Sequence, residues 1–172
     1  MPRVTVRRTF LEMTSLAQLN GGTVDDSAVR IERVEQCPAH FFRYLYAEVG
    51  RQWFWYERLS WTDDELRARL ALHGLSLWVM TVAGAPAGYV ELLADDDGST
   101  EIAYFGVMPE FIGRGLGKHL LTFAVDCAWR NGACRVWLHT CTLDAPQALP
   151  NYLARGFLPF KEETYEAELP EE

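Results

Sequence analysis

The chain has 172 residues, 49% of them hydrophobic, with 24 acidic against 16 basic side chains and a net charge of -8 at pH 7. That length is one ordinary domain, residues 1–172, with room for a substantial core, and the composition excludes a disordered chain. The acidic balance argues against a nucleic-acid partner, which calls for a basic field. No apolar run approaches the ~20 residues that a membrane span needs, so no membrane partner is expected. The opening residues lack the apolar stretch of a secretory signal. Cys37, Cys127, Cys134 and Cys141 show no CxxC spacing, and His40, His73, His119 and His139 fall into no zinc pattern. The expectation is free thiols in a cytoplasmic, reducing setting, and no metal.

In chain order, residues 3–13 predict a first strand, and Asn20-Gly21-Gly22 a turn. Residues 28–35 alternate Val29, Ile31 and Val34 and predict a second strand. Pro38 opens a predicted helix that runs to Val49 and stops at Gly50. Thr62 and Glu65 form a capping box for a helix ending near His73, at Gly74. Two strands, 75–82 and 87–94, are joined as a hairpin through 83–86. A turn at 95–99 leads to a strand over 100–107. An amphipathic helix runs from Gly115 to about Arg130, with Leu116, Leu120, Phe123, Ala124 and Cys127 on one stripe. A strand over 134–140, a short helix over 145–155 and a closing pair of strands over 157–169 complete the pattern. The fold class is mixed α/β: one sheet with helices on its faces.

Between the strand at 100–107 and the long helix, Gly113, Gly115 and Gly117 alternate with other residues. Strand, glycine-rich loop and helix make an anion site, because the first helical N–H groups have no internal partner and glycine lets a phosphate approach. Two familiar phosphate motifs are absent. Gly117-Lys118 is followed by His119 rather than Ser or Thr, and Ile112 stands where a P-loop has its first glycine; the dinucleotide fingerprint has a different final spacing.

The stretch Glu101–Leu121, EIAYFGVMPEFIGRGLGKHLL, resembles the acetyl-CoA-binding segment of the GNAT superfamily of N-acyltransferases. Phe105-Gly106-Val107, Pro109-Glu110, Gly115 and Gly117 match that pattern; Ile112 departs, standing where Arg or Gln is usual. A second segment, Asn151-Tyr152-Leu153-Ala154-Arg155-Gly156-Phe157, resembles the family's later Tyr…Gly-Phe motif, with Ala148 also matching. The resemblance covers about 75–160. It implies a central, mostly antiparallel sheet splayed at the cofactor site, and acetyl-CoA held by Phe105, Gly106, Val107, Ile112, Gly113, Arg114, Gly115, Leu116, Gly117, Lys118 and Asn151. It also implies direct transfer of acetyl to an amine. Glu101 is then a candidate general base, with His139 or a water chain as rivals; His139 has a suitable unperturbed pKa of about 6.5. Tyr152 resembles the proton donor to the CoA sulfur, and the N–H of Val107 is the expected oxyanion donor.

Residues 53–61 carry five aromatics in nine positions. In the family that region lines the acceptor pocket. Trp53, Trp55, Glu57 and His139 are therefore candidate substrate-binding residues, since aromatic faces and a carboxylate attract ammonium groups; the competing reading is that the rings fill the core. The leading expectation is an acetyl-CoA-dependent N-acetyltransferase acting on a small-molecule amine or amino-acid-like acceptor. The alternatives are a protein N-terminus or lysine as acceptor, and an acyl-CoA sensor without turnover. Nothing in the sequence fixes the oligomeric state; a homodimer is the working guess.

Overall fold

The structure, a computed structural model, describes residues 3–169. Seven strands form one sheet: β1 (Arg3–Met13), β2 (Val29–Arg33), β3 (Leu75–Val82), β4 (Ala85–Ala94), β5 (Ser99–Val107), β6 (Arg135–Cys141) and β7 (Leu158–Glu168). Their spatial order is β2-β3-β4-β5-β6-β1-β7. Every pairing is antiparallel except β5 with β6. That one parallel junction needs a crossover, supplied by the long helix α3 (Leu116–Arg130).

The helices bury opposite faces. α1 (Ala39–Gly50) places Phe42, Leu45, Tyr46 and Val49 at helical spacing on one stripe, and they pack with Leu66 of α2 (Asp63–Leu70) against Leu77, Val79 and Tyr89. Fully burying side chains such as Phe42 and Leu45 stabilises by roughly 1.5–3 kcal/mol each. On the other face, Leu120, Leu121, Ala124 and Val125 of α3 meet Leu11, Val90, Val136 and Leu138. The short α4 (Ala148–Ala154) adds Tyr152 to the same cluster.

Most elements fall where the sequence places them, and the Thr62–Glu65 capping box is complete on both sides. Four details differ. α2 stops at Leu70, and Gly74 takes its left-handed φ of 82° in the turn beyond. The β3–β4 connection is a two-residue turn, Ala83-Gly84, with φ of 49° and 87°, the geometry that matches strand twist. Gly50 is the last helical residue rather than a left-handed stop. Its missing side chain makes room for Trp55, whose Cβ would collide with a Cβ at 50. The expected closing pair is a single strand: β7 runs along the whole of β1, from Arg3↔Glu168 to Glu12↔Leu158, with one irregularity beside Phe10. A partner lying over 140 residues back leaves no trace in the local pattern.

Candidate active site

β5 and β6 pair only at Ser99↔Arg135, Thr100↔Val136 and Glu101↔Trp137, although β5 continues to Val107 and β6 to Cys141. Beyond Glu101 the strands part. The ladder between β4 and β5 fixes what that gap contains. Met108 N–H donates to Ala87 O at 2.8 Å, so by antiparallel alternation the pairs Tyr89↔Gly106 and Ala87–Met108 carry the hydrogen bonds. Phe105 and Val107, opposite Val90 and Gly88, therefore turn their N–H groups away from β4 and into the gap. A cavity of about 910 Å³ opens there.

At one end of the cavity lies the glycine loop. Pro109–Phe111 makes a single tight turn, Gly113 and Gly115 take φ of 84° and 74°, and α3 begins. The first helical bond runs from His119 N–H to Gly115 O, which leaves the N–H groups of Leu116, Gly117 and Lys118 without helical partners. A Cβ at Gly117 would meet only Val107, at 3.8 Å, so no protein neighbour crowds that position. Ile112, Gly113, Gly115, Leu116, Gly117 and Lys118 all line the cavity, but Arg114 does not. Its guanidinium sits over the Phe111 ring at 5.5 Å instead.

Tyr152 and Asn151, on α4, face the cavity from the β6 side. Tyr152 is 8% exposed, beside Phe105 and Phe157. Burial pushes its phenol well above the usual value, and Asp144 adds to the effect. Glu101 is half-buried on the cavity wall, unpaired with any cation among the described residues. Burial raises its pKa; Arg69 opposes that most, Glu91 reinforces it and Arg58 opposes it further. His139 opens onto the cavity, its ring tilted against that of Phe10 at 5.5 Å. Desolvation lowers its pKa, and the nearby Arg8 lowers it further.

The aromatic stretch divides between packing and cavity lining. Trp55 is wedged among Tyr46, Tyr89 and Tyr104, with centroids 5.5, 6.5 and 5.1 Å away, and still shows an edge to the cavity. Trp53 and Glu57 line it too, with Glu57 exposed. Phe54, held at φ 57°, and Tyr56 form an exposed edge-to-face pair at 6.0 Å on its rim. Sequence reasoning missed a buried charged cluster whose two arginines reach the cavity wall. Glu91 of β4 accepts from Arg58 Nη1 at 2.6 Å and from Arg69 Nε at 2.7 Å. The only local signal was a carboxylate inside the apolar run AGYVELLA. Among the described residues no group of His, Cys, Asp or Glu could hold a metal ion, and no helix is long and apolar enough to cross a membrane.

A family model described as acetyltransferase (GNAT) family matches residues 40–157. No curated protein matches the chain. Among solved structures, it is similar to a GCN5-related N-acetyltransferase from Kribbella flavida, with TM-score 0.65 and 20% identity, over 95% of this chain and 58% of that one. It is also similar to an aminoglycoside acetyltransferase from an uncultured soil metagenomic sample (TM-score 0.61, 20% identity, 76% of this chain, 88% of that one). The ribosomal-protein-S18-alanine N-acetyltransferase from Escherichia coli gives TM-score 0.59 at 16% identity, over 74% and 76%. The chain spans 58%, 61% and 50% of three of the longer structures it matches. At these identities the likenesses show the fold: a seven-stranded mixed sheet, parted at its parallel junction and flanked by four helices.

Proposed function

The chain belongs to the GNAT acetyltransferase family, and from that premise we propose that it moves an acetyl group from acetyl-CoA to a primary amine of a small molecule or amino-acid-like acceptor. One observation carries the proposal. The N–H groups of Phe105 and Val107 point into a gap that joins the glycine loop at one end to Glu101 and the aromatic segment at the other.

The residues divide the work. The loop from Ile112 to Lys118 offers backbone N–H groups and the positive end of α3 to the phosphates of acetyl-CoA, and Asn151 lines the same channel. Arg114, turned onto Phe111, lies outside the channel and is left out of this set. The amine must shed a proton before it attacks, because an ammonium near pKa ~10 has no free pair. Glu101 takes that proton, directly or through water; His139, held neutral by its lowered pKa, stands across the gap as a relay. As nitrogen bonds to the thioester carbon, charge grows on the carbonyl oxygen, and the gap-facing N–H of Val107 is aimed to receive it. The N–H of Phe105 has the same orientation two residues nearer Glu101 and shares the role. The C–S bond then breaks, and Tyr152 donates its proton to the departing thiolate; the raised phenol pKa keeps that proton in place until then.

The test is release of free CoA thiol from acetyl-CoA with a panel of amines, amino acids and short peptides. Amine-dependent release supports the proposal, and the best acceptor separates small amines from peptide termini and lysine. Acetyl-CoA binding without release for any acceptor would favour a sensor. No acetyl-CoA binding would sink the reading of the loop.

A further inference from the structure

The Arg58–Glu91–Arg69 cluster, whose two arginines line the cavity, is not used by the mechanism above. Glu91 is 0% exposed and Arg58 5%. Glu91 Oε2 accepts from Arg58 Nη1 at 2.6 Å and its Oε1 from Arg69 Nε at 2.7 Å, so one carboxylate on β4 ties down two elements: the turn at Glu57–Ser60 and helix α2. The Arg58 guanidinium is enclosed by the rings of Tyr104, Trp61 and Phe42, at 4.2, 5.0 and 5.6 Å. Its backbone N–H reaches the Tyr46 hydroxyl at 3.4 Å. Buried ion pairs of this kind roughly break even against apolar side chains of similar volume, so stability alone does not account for one here.

Two features of the site do. Residues 53–56 carry the aromatic wall but lie outside any helix or strand, and Phe54 sits at φ 57°, a conformation that persists only where its surroundings over-determine it. Charge gives the second. Glu91 balances one of the two arginines, and both Arg58 and Arg69 line the same cavity as the carboxylate of Glu101, on the neighbouring strand. Arg69 on α2, Arg58 on the turn and Glu91 on β4 carry the charges that act on Glu101; Arg8, Glu57, Lys118, His139 and Asp144 line the same cavity, and Trp137, opposite it on β6, is uncharged.

We propose that Glu91, Arg58 and Arg69 are the positioning groups of the acceptor site: Arg58 clamps the aromatic segment to the sheet, and the two guanidiniums, on the wall of the same cavity as Glu101, set the charge around its carboxylate. This rests on Glu101 being the base, and its test is separable from turnover. The carboxyl carbon of Glu101 is titrated by NMR in the unliganded full chain and identified by its loss in Glu101→Gln. Arg69→Gln removes a favourable charge and should move the midpoint up; Glu91→Gln uncovers both arginines and should move it down. A purely structural cluster predicts no such opposite pair, so movement in one direction for both variants, or none, overturns the charge role. Arg58→Lys keeps the charge but loses the planar fork. Amide exchange over residues 53–61 should then accelerate about tenfold or more while α3 is unchanged; unaltered exchange there overturns the clamp. If Glu91→Gln does not fold, Arg69→Gln and Arg58→Lys decide both points. Opposite shifts in a protein that acetylates no amine would refute the transferase reading and leave the electrostatics intact.

Discussion

A Cβ built on Gly106 would lie within 3.0 Å of Val49 Cγ1, where contact between carbons begins at about 3.5–4.0 Å. Gly106→Ala therefore forces β5 and α1 apart. Val49 is 1% exposed, and as a β-branched residue on α1 it has one strongly preferred rotamer. Overpacking of this kind costs about 1–3 kcal/mol, which in a chain of this size lowers Tm by roughly 2–12 °C. The clash is with one side chain, so a double-mutant cycle isolates it. Val49→Ala deletes the offending methyl, and in that background Gly106→Ala should be close to neutral, a coupling of about 1 kcal/mol or more. Denaturant unfolding of the four proteins measures this. A Gly106→Ala penalty of equal size in both backgrounds would refute the reasoning, as would no penalty in either. Because Gly106 separates Phe105 from Val107, the single variant should also lose more activity than its folded fraction explains, and Val49→Ala should restore part of it.

Three further outcomes follow from the site. Glu101→Gln should lower kcat/KM by about 10²–10⁴. In the parent protein, burial raises the Glu101 pKa, so the base is ionised above that value and the rate falls as pH drops through it; a pH–rate profile should place this limb above the ordinary glutamate range, and Glu101→Gln should abolish it. Tyr152→Phe should cut kcat by about 10² with little change in acetyl-CoA affinity. Its stability should move by less than about 1 kcal/mol, because burial and the charge of Asp144, with no hydrogen bond among the described residues, act on the hydroxyl; thermal melts beside steady-state kinetics would show this. Gly115→Ala, at φ 74°, strains the loop by about 1–2 kcal/mol and should weaken acetyl-CoA binding about tenfold by calorimetry.

What the sequence revealed and what it hid divide along a physical line. The Thr62–Glu65 capping box, the α3 stripe and the glycine loop are short-range patterns, and each is where the spacing predicts. The residues around the cavity were found through motifs that span a strand, a loop and a helix start. The Arg58–Glu91–Arg69 cluster was not, because its members are 33 and 22 residues apart and meet only once the sheet has formed. Arg114 reads as part of the loop by adjacency, yet the left-handed glycines on either side turn it onto Phe111. Gly50 reads as a helix stop because glycine commonly is one; packing against Trp55 gives it another use.

β1 lies between β6 and β7, its Arg3 level with Glu168 and its Arg8 level with Cys141. During synthesis it leaves the ribosome before either partner exists. At ~5–20 residues per second, the hundred-odd residues up to β6 take on the order of ten seconds. The β2–β5 meander with α1 and α2 has all its partners within a short span and can assemble in that interval. The half-sheet that forms the far wall of the cavity cannot. The gap between β5 and β6 is therefore the seam between strands made early and strands made late, and β1, made first, finds both its partners among the last.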